Sequence, residues 1–336
     1  MLFLHFTAGP DDARRRLDKI IRKFLPNAPL SAIYSYIRKS LVRVNGKKTD
    51  AAARVNEGDL IDIADFLLQP QPAELPSEPE PARSRPAAFP ALDDVFCNDF
   101  LRVINKPYDI PVQGCRGARV SIADIVQAEY AETARASSLS FKPGPLHRLD
   151  RKTTGLLVCS RNLEGARWFS AAVRDHLLQK RYAAIVQGCL ETERIWTDKI
   201  ERETEGLHRF RRSLACRSGG SEGKTADTRA VPLAHGSYEG EPVTLVLFSI
   251  GSGRTHQIRL HGGAHGFPLL GDTAYGGRPI SEAQSIYLHA WQLGIPEPNP
   301  VSLPPLLCAP ISTNFQKMLK KCLLEWDYSA YNGSDI

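Results

Sequence analysis

Residues 145–158, PLHRLDRKTTGLLV, set one carboxylate, Asp150, among four side chains that are or can become cationic: His147, Arg148, Arg151 and Lys152. Thr153-Thr154-Gly155 marks a bend and an apolar run follows, so Asp150 is expected on a loop that leads into a buried strand. Side chains that act on a substrate concentrate on loops held by a rigid scaffold. The cations around Asp150 favour its charged form, which suits a nucleophile or base. The alternative is a loop anchor in which Asp150 only makes an ion pair, and this stretch by itself does not decide between them.

Two further segments carry candidate chemistry. In LQKRYAAIVQG, 178–188, Tyr182 shares one strand face with Ala184 and Val186, which fits either a core tyrosine or one that faces a site. In SIGSGRTHQIRLHGGAHG, 249–266, Gly251 and Gly253 allow a tight turn after a strand. Arg254 is expected to open a short helix carrying Thr255, His256, Gln257 and Arg259, with donors suited to phosphate. The sixth position of GSGRTH is His256, so a dinucleotide-binding glycine motif is not supported. His256, His261 and His265 lack an accompanying Cys or acidic ligand pattern, and no metal is expected.

The elements that must position these residues follow from periodicity. In DDARRRLDKIIRKFL, 11–25, Ala13, Leu17, Ile20, Ile21 and Phe24 fall on one helical face, with Asp11 and Asp12 at its start and Arg14, Arg15, Arg22 and Lys23 largely elsewhere. After Pro26 and Pro29 a second short helix, SAIYSYIRKS, is expected, then Val42 and Val44 on a strand, an Asn45-Gly46 tight turn and a final strand, DLIDIA. Residues 67–90, rich in Pro, Glu, Ala and Ser, read as an extended linker. From 91 to 330 strands and helices mix: FLRVINKP, GLLVCS, KRYAAIVQG and EPVTLVLFSI as strands, and NLEGARWFSAAVRDHLL as a helix capped by Asn162 with Leu163, Ala166, Phe169, Val173 and Leu177 on its apolar face. LHRFRRSLACRS and TADTRAVPLAHGSY are expected to pair antiparallel. The class expected is α+β with a mixed, largely antiparallel sheet.

The chain has 336 residues and a net charge of +6. Residues 1–64 hold 12 Lys/Arg against 7 Asp/Glu, so most of the excess lies in the first fifth of the chain. A small basic module facing a polyanion, nucleic acid above all, accounts for this; a solvated basic surface is the alternative. No apolar run is long enough for a transmembrane helix, and the N-terminus lacks the basic start of a secretory signal. Seven scattered cysteines without a CxxC pair read as free thiols in a reducing cytoplasm.

RRLDKIIRKFLP, SAIYSYIRKSLVRVNGKK and VNEGDLIDI together resemble the S4 RNA-binding domain, with Ser40 standing where that family commonly has Gly. HRLDRKTTG, KRYAAIVQG and GSGRTHQIRLH, in that order, resemble the RluA-type pseudouridine synthases. RVINKPYDIPVQG, HGFPLLGDTAYGG and YLHAWQL add to the likeness, which spans roughly 95–325. It lacks the family's usual His-Pro piece after LHA and carries an insertion-like Ser-rich stretch at 130–141.

The resemblance implies an S4-like domain at 1–66, a linker at 67–90 and a catalytic domain of pseudouridine synthase fold at 91–330. It implies cofactor-free isomerisation of uridine in RNA, most readily large-subunit rRNA; the scattered thiols point to the cytoplasm, and a monomer is the default expectation. Asp150 matches the family's essential aspartate. Arg254 is expected to pair with it, and Tyr182 to pack on the target ring and take part in a late proton transfer. A phenol titrating near about 10 is a poor base unless its site lowers that value. Arg148 is expected to fill the space left by the flipped base. His147, Lys152, His256, Gln257 and Arg259 are expected along the RNA, as are Arg15, Arg22, Arg38, Lys39 and Arg43 in the first domain. The competing class is a non-catalytic RNA-binding or ribosome-assembly factor; a metal-dependent hydrolase using the histidines is the weaker third.

Overall fold

The computed structural model describes residues 2–68, 89–115, 117–133, 138, 139, 141–202, 210–213 and 224–327. Most of the expected linker, 67–90, lies outside them. The chain divides into two compact units: the described parts of Met1–Ala87, Val126–Gly144 and Asn162–Glu164, and those of Ala88–Ile125, Pro145–Arg161 and Gly165–Ile336.

The first unit contains β1 (Phe3–Thr7), α1 (Leu17–Phe24), α2 (Leu30–Arg38), β2 (Val42–Val44) and β3 (Leu60–Ala64), with strand order β1-β3-β2. Leu17, Ile20 and Ile21 of α1 and Ile33 and Ile37 of α2 pack with Val42, Ile61 and Ile63. The helix expected from residue 11 starts only at Leu17. Arg14 takes φ +62, which no α-helix allows, and Asp12 instead accepts the Gly9 N–H at 3.0 Å within a 3-10 turn. Helix α2 ends as a Schellman motif: Leu41 N–H bonds Tyr36 C=O at 3.0 Å around Ser40 at φ +59. That is the conformation glycine adopts freely, so Ser40 occupies it under strain of about 1 kcal/mol. Asn45-Gly46 makes the expected turn, with Val44 and Lys47 exchanging both backbone hydrogen bonds at 3.0 Å.

The second unit is built on ten strands. Introduced in chain order they are β4 (Asp93–Cys97), β5 (Leu101–Lys106), β6 (Thr154–Ser160), β7 (Gln179–Gln187), β8 (Arg194–Arg202), β9 (Phe210–Ser213), β10 (Lys224–Tyr238), β11 (Glu241–Ile250), β12 (Leu288–Gly294) and β13 (Leu306–Cys308). Helices α4 (Leu163–Arg174), α5 (Gln257–Ala264) and α6 (Thr313–Lys321) accompany them, and α3 (Ile122–Thr133) starts in this unit. The sheet order is β4-β5-β6-β12-β7-β11-β10-β8-β9, with β13 beside β12. The β6–β12 pair is parallel and the remaining pairs are antiparallel. The unit is thus the mixed, largely antiparallel α+β form expected.

Two expectations are corrected. Strand β9, the described part of LHRFRRSLACRS, pairs with β8, and β8 separates it from β10. Helix α4 closes at Arg174, where His176 at φ +55 reverses the chain and Leu177 N–H bonds Ala172 C=O at 2.9 Å, leaving Leu177 exposed.

Alternation along β7 decides what faces the site. Ala183 and Ile185 enter the apolar core with Leu245 and Leu247 of β11 and Phe315, Met318 and Leu319 of α6. Ser312 caps that helix by accepting Phe315 N–H at 3.3 Å. Tyr182 therefore points to the opposite face, between Phe248 of β11 and Ala290 of β12 in register. Thr154-Gly155 opens β6 where it crosses β12: Gly155 pairs Ala290 at φ +105, and a Cβ there would lie 2.2 Å from the Ala290 carbonyl oxygen. Only glycine fits that crossing.

Candidate active site

The loop that carries Asp150 is fixed from both sides. Leu146 N–H bonds Val158 C=O at 2.9 Å, and Thr153 N–H bonds the Asp150 carbonyl at 3.0 Å. His147 accepts the Val158 N–H through Nε2 at 3.0 Å. Burial, aided by the Lys180 charge, holds that imidazole down to about 4, so it is neutral. Its ring lies 5.7 Å from Phe169. His147, expected to meet RNA, braces the loop from a half-buried position and also lines the cleft beside Asp150.

From below, Lys106 donates to the carbonyls of Pro107, Ile110 and Arg151 at 2.9, 2.8 and 3.0 Å. It is fully buried. Burial pulls this ammonium down to about 7 against the attraction of Asp150 and Asp109. The three acceptors match the three N–H bonds of its charged form. No reading of the sequence singled Lys106 out; the signal was a lysine closing an apolar strand just before Pro107. Arg151 is turned outward, with Nε 2.9 Å from Asp109.

The carboxylate of Asp150 is mostly shielded, at 15% exposure. Its Oδ2 accepts Arg259 Nη1–H at 3.1 Å, and Oδ1 lies 3.6 Å from His256 Nε2. Asp272, at 1% exposure, holds the same guanidinium by Nε and Nη2 at 2.7 and 2.9 Å. The bidentate grip leaves Nη1 aimed at Asp150. The Tyr275 ring lies 5.0 Å from the Arg259 guanidinium carbon, and its hydroxyl sits 2.8 Å from His256 Nδ1. Burial opposes the charge of Arg259, but the Asp272 and Asp150 carboxylates outweigh that and raise the guanidinium above its already high range, so it is always charged.

Arg254, expected as the partner of Asp150, is not: the geometry gives that place to Arg259. The reason is local. The helix expected from Arg254 begins at Gln257, because His256 takes the left-handed conformation at φ +55. Gln257, expected on RNA, is buried and bonded at both ends of its amide. It accepts from Ser252 and from Arg254 N–H, and donates to Asp227 C=O and Thr228 Oγ1. Its work is to anchor the 251–257 turn to β10. His261 and His265 face Asp198, at 3.8 and 2.8 Å, and not His256.

Two cavities share Asp150, Arg148, His256 and Arg259. The smaller, about 60 Å³, is also lined by Tyr182, Ile250, Gly253 and Arg254. The larger, about 730 Å³, is also lined by Gln113, Cys115, Lys152 and Thr273. Its size falls in the range of ligand clefts, roughly 300–1,000 Å³. Arg148 and Lys152 are exposed here. Burial, with the nearby charge of Asp150, pushes the Tyr182 phenol well above its usual range. Tyr182 is therefore a neutral ring that holds its proton tightly, and not a resting base. Behind the site, Thr154 Oγ1 bonds His289 Nδ1 at 2.8 Å and His289 Nε2 reaches Ala309 C=O at 3.3 Å, which ties β6 to β12.

In the first unit Arg22, Arg38 and Lys39 are exposed, and Arg15 and Arg43 are half-buried. Arg43 is already committed, donating to the Ser40 carbonyl at 3.0 Å with its guanidinium 4.5 Å from the Phe3 ring centre. Arg16, absent from the expected RNA-facing set, pairs bidentately with buried Asp18, which Tyr34 also bonds.

Comparison with known proteins bears on the family and the fold. Residues 101–263 match the RNA pseudouridylate synthase family, and residues 15–61 match the S4 domain. Ribosomal large subunit pseudouridine synthase C of Escherichia coli (strain K12) is 30% identical over 300 residues, 86% of this chain and 87% of the relative. Its namesake in Vibrio cholerae is 28% identical over 290 residues, 83% and 84%. Among solved structures, Human RNA Pseudouridylate Synthase Domain Containing 4 covers 70% of this chain and 94% of its own, with a TM-score of 0.54 and 21% identity. Human RNA Pseudouridylate Synthase Domain Containing 1 covers 70% and 96%, with 0.50 and 24%. These two share the fold. A likeness that runs nearly the length of the curated relatives and takes in Asp150, Tyr182 and Arg259 places this chain in the RNA pseudouridine synthase family, with an S4 domain in its first unit.

Proposed function

We propose that this enzyme converts specific uridines of large-subunit ribosomal RNA to pseudouridine, with Asp150 as the essential carboxylate. The observation that carries the roles is the Asp150–Arg259–Asp272 chain, with Asp150 and Arg259 lining both cavities and Tyr182 lining the smaller one with them. The target uridine leaves its stack, at a cost of a few kcal/mol, and enters beside Tyr182. The N1–C1′ bond breaks, the uracil turns, and a C5–C1′ bond forms. C5 gives up its proton and N1 gains one, so the product is an isomer and no electron acceptor is consumed. Arg259 keeps the Asp150 carboxylate in one orientation through the cycle, because Asp272 fixes its plane. The buried ring of Tyr182, kept neutral by burial and by the Asp150 charge, stacks against the base. Arg148 fills the space left by the flipped base, Lys152 steadies the RNA backbone, and the basic S4 domain, extending to about residue 66, supplies sequence-independent grip. The large-subunit target rests on the relatives' names, and a cytoplasmic monomer fits it.

The test is a map of pseudouridines in ribosomal RNA from cells with and without the gene. One or more large-subunit positions should revert to uridine and return with the wild-type gene but not with Asp150→Asn. Restoration by Asp150→Asn would leave a non-catalytic assembly role. A map unchanged by deletion would remove the rRNA assignment.

A further inference from the structure

Arg148, Gly253 and Arg254 line the smaller cavity, and among the described residues neither guanidinium is in an ion pair with a carboxylate. Asp150 is engaged by Arg259 and faces His256, and Asp272 is engaged by Arg259. Arg254 uses its backbone N–H on Gln257, while its side-chain Nε is buried with no hydrogen-bond partner. Lys180, two residues before Tyr182 and on the same face of β7, is half-buried. Burial alone pulls its ammonium below the usual lysine range. A Cβ added to Gly253 would lie 3.6 Å from Lys180 Nζ, so this ammonium reaches the 251–253 turn where glycine leaves it room. A Cβ on Gly251 would meet nothing within 4 Å, so the turn is open on that side.

Cations withdrawn from water without a counter-charge destabilise a fold. Two of them converging on one open glycine turn are matched to an anion that arrives with the substrate. A guanidinium supplies directed donors and an ammonium a mobile point charge, the pair of chemistries that suits a phosphodiester. We propose that Lys180, Arg254 and the Gly251–Gly253 turn form a phosphate subsite that grips the RNA backbone at one of the two phosphodiesters flanking the flipped uridine. The inference rests on the pseudouridine synthase reading above. It gives Arg254 a role in place of the ion pair with Asp150, and it gives the flipped nucleotide a fixed pivot beside Tyr182.

The test uses the full chain and a synthetic oligoribonucleotide spanning a uridine that the wild type modifies, with a neutral methylphosphonate replacing the phosphodiester 5′ or 3′ of that uridine. The neutral linkage at one of the two positions should weaken wild-type binding about tenfold, the scale of one charge-assisted contact. Arg254→Gln and Lys180→Met should each weaken binding of the all-phosphate RNA and lose little more on the neutral one. Each should also lower the slope of log K against log salt by about one. Arg254→Lys should recover part of the loss.

If wild-type binding ignores the neutral linkage at both positions, the subsite is wrong whatever the variants do, and this arm does not depend on a variant folding. It is equally overturned if the variant and linkage losses multiply at both positions with unchanged salt slopes. Tritium release from the all-phosphate, C5-labelled RNA reports on the underlying reading separately. Its absence in the wild type sinks both claims, whereas release with a failed linkage test sinks the subsite alone.

Discussion

Arg259 reaches Asp150 through one nitrogen because Asp272 occupies the other two. A lysine at this place cannot hold both carboxylates in that geometry, since its ammonium has no fixed plane. Arg259→Lys should therefore lower kcat by about 10²-fold or more, the scale of a misplaced reacting group, and by more than Arg254→Lys does. Single-turnover rates at saturating RNA read this directly, and equal losses in the two variants would contradict the assignment. Asp150 and Tyr182, which line one cavity, were singled out only by the ordered set of motifs, since each segment alone left a structural reading open. The choice between Arg254 and Arg259 was not legible, since both lie in GSGRTHQIR and the left-handed backbone at His256 decides which one turns toward the carboxylate. Asp272 and Lys106 were missed for a related reason. A buried charge is recognisable only through the partners that compensate it, and those of Lys106 include the Arg151 carbonyl, 45 residues away.

The elements around the site are tuned at the crossing of β6 and β12. Gly155→Ala places a methyl carbon 2.2 Å from a backbone oxygen that cannot step aside within a paired strand. It should cost at least about 3 kcal/mol, read as a lower midpoint in urea; a loss below about 1 kcal/mol would mean that the strands separate at no cost. The neutral histidines of the same region add a pH dependence. Burial holds both His147 and His289 near 4, below the 6.5 of an exposed imidazole. Between those values the unfolded chain binds protons that the folded one refuses, so stability falls as pH falls from about 6.5 to about 4 and levels off below. The combined effect is on the order of a few kcal/mol. His289→Gln should flatten part of that slope, and an unaltered slope would place the effect elsewhere. Strand and helix types were readable from period. Boundaries were not where a non-glycine residue enters the left-handed region, as Arg14 does before α1 and His176 after α4.

For the whole molecule, the two units each carry their own apolar cluster, one on Leu17, Ile20 and Ile33, the other on Leu245, Leu247 and Phe315. The charge excess of 1–64 was plain in composition, and the S4 match at 15–61 falls within that segment; under the proposed function, RNA binding by this segment is separable from chemistry. Deleting residues 1–64 should weaken RNA binding and flatten its salt dependence more than it slows turnover of a short substrate; equal salt slopes with and without the segment would contradict this. The order of the large sheet could not be read from the chain, because β6 neighbours β12 through Thr154↔His289 and Gly155↔Ala290, contacts between segments far apart in sequence. The central claim, that a carboxylate at Asp150 drives the isomerisation, is tested most directly by tritium release from RNA labelled at uridine C5. The wild type should release tritium as C5 exchanges its hydrogen for the new bond, and Asp150→Asn, equal in shape but without the charge, should release none above background; undiminished release by Asp150→Asn would contradict the account.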